Sequence, residues 1–297
     1  SVMLKGILVS LLASFLFGYM YYFSTLLKPL SGTDIFGYRM IFTFPFVVFA
    51  VLMFKQKNAL IERLKHIKNQ PYFAFSYLFC GALMGFQMWL FLWAPNNGSS
   101  LSLSLGYLLL PICLVVIARI VFKEYISPLK FVAVISALIG VVINISLKGG
   151  LSWEASFVCV GYSLYFVIRK KLQLMNLASF CLEVLFMLPV CIYFVGQINL
   201  AEISQSTPSI YGLLVGLGFI SGTALTFYIA ASNILPMNVL GLLGYVEPVM
   251  MVIISFLLGE VVDTRTYPLF LCLLLAMGLI LIDGILTLRR QGIKPHV

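Results

Sequence analysis

The 297-residue chain is 62% hydrophobic and only 10% charged, with a mean hydropathy of +1.07. A soluble domain carries roughly a quarter charged residues, so no water-facing fold could hide this much apolar surface, and the bilayer is the implied solvent. Nineteen basic residues against ten acidic ones give a net charge of +9, which in a membrane chain reports orientation rather than affinity for nucleic acid.

Ten apolar runs are long enough for helices that cross a hydrocarbon core roughly 30 Å thick at about 1.5 Å per residue. The first, 4–27, carries Tyr19 and Tyr22 and is read as a span, because it is too long and lacks the cleavage site of a signal peptide. The second, 34–54, opens on Asp34 and places Arg39 near its start, as a local ion pair, a snorkelling cation or a gate. Basic residues then fill the connection from Lys55 to Gln70, where Leu60, Leu64 and Ile67 recur at helical spacing, so a short surface helix is expected there, against the plainer reading of a solvated basic loop. The third run, 72–93, holds Gln87, Trp89 and Trp93 and turns at Asn96 and Asn97; the fourth, 100–121, holds Tyr107, Pro111 and Arg119 and is followed by Glu124. Run five is 128–147.

The sixth run, 151–169, contains Tyr165 and ends on Arg169, Lys170 and Lys171; the seventh, 178–196, contains Glu183 and Pro189. In the eighth, 210–231, the pairs Gly212/Gly216 and Gly218/Gly222 are small-residue seams for close helix approach, Phe227 and Tyr228 follow, and Asn233 lies beyond. The ninth, 238–258, carries Tyr245, Glu247 and Pro248 and leads to Glu260. The tenth, 267–288, carries Asp283 and ends at Arg289 and Arg290.

With the N-terminus in the cytoplasm, fourteen cations fall on that side: Lys5, Lys55, Lys57, Arg63, Lys65, Lys68, Lys123, Lys130, Arg169, Lys170, Lys171, Arg289, Arg290 and Lys294. Only Lys28, Lys148 and Arg265 fall on the other, so both termini are expected to be cytoplasmic. The six cysteines lie inside apolar runs and the two histidines, His66 and His296, in a basic loop and the tail, so neither a disulfide framework nor a metal site is expected. No cofactor is expected, and with no phosphate-binding Gly-x4-Gly-Lys loop the chain does not hydrolyse ATP itself.

An internal repeat carries further. Leu105-Gly106-Tyr107, Pro111 and Glu124 are echoed by Leu243-Gly244-Tyr245, Pro248 and Glu260, and Ala13-Ser14-Phe15 with Gly18, Tyr19 and Tyr22 by Ala155-Ser156-Phe157 with Gly161, Tyr162 and Tyr165. Two halves of five spans follow, 1–149 and 150–297, and because five is odd the second enters the membrane from the opposite side. Inverted repeats are the architecture with which carriers expose one site alternately to two faces.

Asp34-Ile-Phe-Gly-Tyr-Arg39, Trp89 to Trp93 with Ala-Pro-Asn96-Asn97, Leu-Gly-Tyr107 with Pro111, Arg169-Lys-Lys171, Leu182-Glu183 with Leu188-Pro189, Gly259-Glu260, and Ile282-Asp283 through Arg289-Arg290 stand in this order along nearly the whole chain. Together they resemble the RarD subfamily of the EamA-type drug/metabolite transporter superfamily. The resemblance implies an all-α, multi-pass protein of the bacterial inner membrane with ten helices in two inverted EamA-type repeats, a central cavity lined mainly by helices 1, 3, 4, 6, 8 and 9, and helices 5 and 10 behind. It implies export of amino acids, other metabolites or amphipathic drugs. The chain departs from the subfamily pattern at Gln87-Met88, Ser102 and Leu110, and Glu247-Pro248 follows the wider EamA pattern.

Glu247 is the first candidate for proton coupling or for binding a substrate amine, since an ionisable group mid-membrane is costly; a structural hydrogen bond is the alternative. Tyr19, Tyr22, Gln87, Trp89, Trp93, Tyr107, Tyr165, Phe227, Tyr228 and Tyr245 are candidate substrate-binding residues, set against ordinary packing, because rings with one polar tip suit amphipathic or cationic solutes. Arg39, Asn96, Glu183 and Asn233 are candidate coupling or gating residues; for Glu183 the alternatives are binding substrate or pairing with Arg169 or Lys170 at the membrane boundary. The expected partners are a small-molecule solute and the lipid bilayer, with no nucleic acid, and the chain is expected to be a monomer, with a dimer as the alternative. A channel would need a ring of carbonyls or charges. A lipid-modifying enzyme would need an interfacial His, Asp or Cys cluster, which the sequence lacks.

Overall fold

The computed structural model describes residues 2–235 and 237–292, without the side chains of Met237 and Asn238; Lys294 and His296 lie outside the described residues. Every described regular element is helical, as the bilayer requires of a chain that must satisfy its own backbone groups. The helices are α1 (Val2–Phe23), α2 (Gly32–Met53), α3 (Lys57–Asn69), α4 (Ala74–Trp93), α5 (Ser100–Phe122), α6 (Pro128–Lys148), α7 (Trp153–Phe157), α8 (Ser163–Lys171), α9 (Leu177–Gly196), α10 (Leu200–Ser206), α11 (Ile210–Ile234), α12 (Met237–Leu243), α13 (Val246–Leu257) and α14 (Tyr267–Gln291).

Among the described residues nine helical stretches are long and apolar enough to span a membrane. The tenth expected span, 151–169, is the run α7–α8, interrupted by a π-helical turn at Val158–Tyr162 and ending in three cations. Its interruption and charged end explain why it does not count as one long apolar helix. The ninth span is also divided, into α12 and α13. The basic segment after α2 is helical, as α3.

The helices form two compact units, and each draws on both halves of the chain. One comprises the described parts of 1–15, 98–164 and 230–297. Within it α6 lies along α14, where a side chain on Gly140 would come within 2.7 Å of Cys272 Cβ and Ser136 Oγ donates to the Cys272 carbonyl at 3.1 Å. α5 lies along α13, with Ser104 and Ser255 hydroxyls 3.3 Å apart. Its core gathers Leu101, Leu105, Leu108, Ala133, Ala137, Leu273 and Ala276.

The other unit comprises 16–97 and 165–229. α9 packs on α2 at Gly37 and on α4 at Gly81, where a Cβ would stand 2.9 Å from the Glu183 carbonyl. The glycine seam of α11 meets α2, with Gly218 against Phe42 and Gly222 against Phe46. α2 starts on a capping box, in which Ser31 Oγ accepts from Asp34 N at 3.2 Å and Asp34 Oδ2 accepts from Ser31 N at 3.1 Å. Asp34 is thereby committed to its own helix end. Across both units, the second, fourth and fifth spans each pack on the span five places later.

Candidate functional site

The break in the ninth span has a local cause. Pro248 has no N–H, so the Gly244 carbonyl, four residues earlier, loses its helical donor. The chain closes the gap with shorter-range bonds, Glu247 N to Gly244 O at 3.3 Å and Tyr245 N to Leu242 O at 3.2 Å. Gly241 and Gly244 make that region easy to unwind. Glu247 consequently stands in the first turn of α13, half-buried, at the helix end that favours negative charge. Tyr245 is buried in the core with Leu105 and Leu109, Tyr107 is buried on α5, and Asn233 is exposed near the end of α11.

In the other unit, Arg39 is 4% exposed inside α2. Its Nε donates to Ser221 Oγ at 3.3 Å, Ser221 is 2.7 Å from Thr43 Oγ1, and the guanidinium lies over the Phe91 ring at 5.6 Å, with Tyr21 stacked on that ring at 4.8 Å. A buried cation is thus surrounded by hydroxyls and an aromatic face. Sequence reasoning missed Ser221, Thr43 and Phe91; Ser221 lies between the two glycines of a seam, Gly218 and Gly222, the only signal that pointed there. Trp89 donates Nε1 to Thr33 Oγ1 at 2.9 Å and stacks on Trp93 at 5.4 Å, so both rings join α4 to the start of α2. Asn96 donates to the Leu92 carbonyl at 2.8 Å and to Ser24 Oγ at 3.3 Å. Gln87 is buried, Phe227 half-buried, and Tyr19, Tyr22 and Tyr228 are exposed.

Glu183 is completely buried on α9. Its Oε1 lies 3.4 Å from Arg169 Nε and its Oε2 accepts from Tyr165 OH at 3.1 Å, while the guanidinium covers the Tyr165 ring at 4.9 Å and donates to the Leu174 carbonyl at 3.2 Å. The short turn from α8 into α9 makes this possible by folding the basic end of one helix against the second turn of the next. Tyr165 is thereby joined to Glu183. Asp283, expected near a helix end, accepts from Ser127 Oγ at 2.7 Å and lies 4.0 Å from Lys130.

One further site was marked in the sequence only as a repeat signature. Glu260 reaches the first turn of α5, where its carboxylate accepts from Ser100 N and Leu101 N at 3.0 Å each and from Ser100 Oγ. It caps a helix to which it is distant in sequence. Beside it a cavity of about 520 Å³ is bordered by Ser102, Asn144, Lys148, Ser152, Glu260 and Asp263. In the exposed loop there, hydrogen bonds from the Arg265 side chain and backbone, with Lys148 farther off, hold the Asp263 carboxyl down to about 2. Among the described residues no group of His, Cys, Asp and Glu could hold a metal ion.

A multi-pass helical bundle with a broken span, an intramembrane carboxylate and a buried arginine has the parts of a membrane transporter, and the comparisons with known proteins agree. The EamA-like transporter family model matches residues 4–146. An "Uncharacterized transporter" of Haemophilus influenzae is 68% identical over 95% of each chain. The "Chloramphenicol-sensitive protein RarD" of Pseudomonas aeruginosa is 33% identical over 97% of each. A solved crystal structure at 17% identity superposes with a TM-score of 0.57, covering 96% of this chain and 97% of that one, and shares the fold. The chain belongs to the EamA-like transporter family, in its RarD group.

Proposed function

We propose that the protein is a secondary carrier of the bacterial inner membrane that exports small organic metabolites, such as amino acids or amphipathic drugs, by alternating access and with coupling to protons. The observation that carries this reading is the divided ninth span: Pro248 denies the Gly244 carbonyl its helical donor, a shorter bond from Glu247 N replaces it, and Glu247 is left at the start of a half-helix, the kind of broken helix with which carriers present charge to a solute and a coupling ion. Glu247 is the proposed coupling carboxylate. Tyr19, Tyr22, Gln87, Trp89, Trp93, Tyr107, Tyr165, Phe227, Tyr228 and Tyr245 are the proposed solute-binding set, with Arg39, Asn96, Glu183 and Asn233 in coupling or gating.

The sequence repeat supports an organisation in two inverted halves, 1–149 and 150–297, and the packing of spans 2, 4 and 5 on spans 7, 9 and 10 is compatible with it. The distribution of cations supports cytoplasmic termini. The name of the Pseudomonas relative supports an amphipathic drug as one solute to try. In this reading the protein is a monomer that performs no chemistry on its solute. The test is counterflow in proteoliposomes over a panel of amino acids and amphipathic drugs, with and without a pH gradient, comparing wild type with Glu247→Gln. Saturable counterflow that responds to the gradient only in wild type is the expected result; gradient-independent flux unchanged by the substitution would remove Glu247 from coupling, and the absence of counterflow for every solute would remove the carrier.

A further inference from the structure

α3 is tied at both ends. Three residues, 54–56, connect it to the end of α2, and Gln70 alone separates it from the 3-10 turn at Pro71–Phe73 that leads into α4. A helix of thirteen residues, about 20 Å long at 1.5 Å per residue, cannot stand away from the membrane when both neighbours are spans. It lies along the bilayer surface.

Its sides differ in a way that the surface position explains. Leu60 and Ile67 turn inward and pack with Tyr77, Leu174 and Leu182 of the same unit. At about 100° per residue, Leu64, Lys57, Lys68, Ile61 and Lys65 follow one another round the adjoining side, and all five are exposed, Leu64 by 45% and Ile61 by 38%. Beyond Lys65 come Asn58, Asn69 and then the helix's one acid, Glu62, about 60° farther round than Lys65. Arg63 turns to a third side and donates to the Gln173 carbonyl at 3.1 Å, fixing α3 to the turn before α9. Two exposed aromatic residues, Tyr72 and Phe75, follow directly, and tyrosine is enriched where helices meet the membrane–water interface.

We propose that this side of α3 is a binding surface for anionic phospholipid. Ile61 and Leu64 dip among the acyl chains, while Lys57, Lys65 and Lys68, whose stems are long enough to reach back to the headgroups, gather the phosphates of neighbouring lipids. The occupant follows from the charge: three cations and no carboxylate on a side that also carries two bare aliphatic residues match an anionic amphiphile, whereas a soluble acidic protein would leave Ile61 and Leu64 in water. Arg63 ties α3 to the same turn that receives Arg169. The proposal does not depend on which solute is carried.

The experiment uses the detergent-purified full chain and native mass spectrometry, with phosphatidylglycerol or phosphatidylcholine added at equal concentration. Wild type should retain phosphatidylglycerol over phosphatidylcholine, and Lys57→Gln/Lys65→Gln/Lys68→Gln should lower that preference on the order of tenfold or more, since basic residues at the surface are what attracts anionic headgroups. Ile61→Ser/Leu64→Ser should weaken retention of both lipids without changing the preference. If the triple variant does not yield folded protein, Lys65→Gln alone and a salt titration of wild type read the same attraction, which should fade as salt screens exposed charges. Equal retention of the two lipids by wild type, or a preference that survives the lysine substitutions and high salt, would overturn the proposal.

Discussion

Replacing Arg169 by Met should cost about 3–5 kcal/mol, because it strands the Glu183 carboxylate in a fully buried site. Glu183 is 0% exposed, Gly81 of α4 packs against its backbone carbonyl, the Arg169 guanidinium stands 3.4 Å from one carboxylate oxygen, and the Tyr165 hydroxyl donates to the other at 3.1 Å. The substitution also withdraws the donor to the Leu174 carbonyl, a charge-assisted bond of about 1.5–3 kcal/mol that is not additive with the pair. Glu183→Leu alone should cost less, since Arg169 keeps the Leu174 carbonyl and its stacking over Tyr165. The double variant Arg169→Met/Glu183→Leu should return to within roughly 1–2 kcal/mol of wild type, because the desolvation of both charges disappears with the attraction between them. The assay is thermal unfolding in detergent followed by circular dichroism, in which 3–5 kcal/mol corresponds to a fall in Tm of roughly 10 °C. An Arg169→Met protein with wild-type Tm, or a double variant worse than the sum of the singles, would refute the reading of this cluster as a coupled buried pair.

Three further outcomes follow from other contacts. Glu260→Ala removes acceptors from Ser100 and Leu101 at the start of α5 and should cost about 1–3 kcal/mol by the same assay, with Glu260→Gln losing about half as much. Gly106→Ala would set its Cβ 2.8 Å from Ala155 Cα, a backbone atom that cannot swing aside, and should cost about 1–3 kcal/mol, whereas Gly278→Ala, with open space around it, should be neutral or gain up to about 1 kcal/mol. Because the Asp263 carboxyl is held down to about 2, its contribution is present above the ordinary carboxylate range and is lost as the pH falls from about 4 through 2; Arg265→Gln should move its midpoint back toward about 4, read from the carboxyl carbon resonance, and an unmoved midpoint would deny Arg265 that role.

Much of the membrane organisation is legible in the chain because the signals are local. Runs of twenty apolar residues mean spans whatever they pack against, the spacing of Leu60, Leu64 and Ile67 is enough to raise a helix between the second and third spans, and a proline inside a span, as at Pro248, withdraws a helical donor wherever it stands. The sixth span was harder, since a π-turn at Val158–Tyr162 depends on how the helix is packed and leaves no hydropathy signature. The assignment of side chains to partners was harder still. Arg39 stands five residues after Asp34, a spacing that suggests a local pair, yet Asp34 is taken by its capping box and Arg39 faces Ser221, 182 residues away. Trp89 reaches Thr33 on α2 and stacks on Trp93, and the spacing of the two rings along α4 reveals the stack but not the partner on α2.

By itself, then, the sequence determined what the solvent is, where the chain crosses it, how its halves echo each other and to which family it belongs, because each of these is written in composition, period or motif. Only the tertiary structure decided that Glu183 pairs with Arg169, that Glu260 caps α5, that each compact unit takes helices from both halves, and which side of α3 is left exposed. Those are choices among partners far apart in the chain, made by the geometry of packed helices, and a hydrogen bond between residues 182 positions apart has no local periodicity from which it could be read.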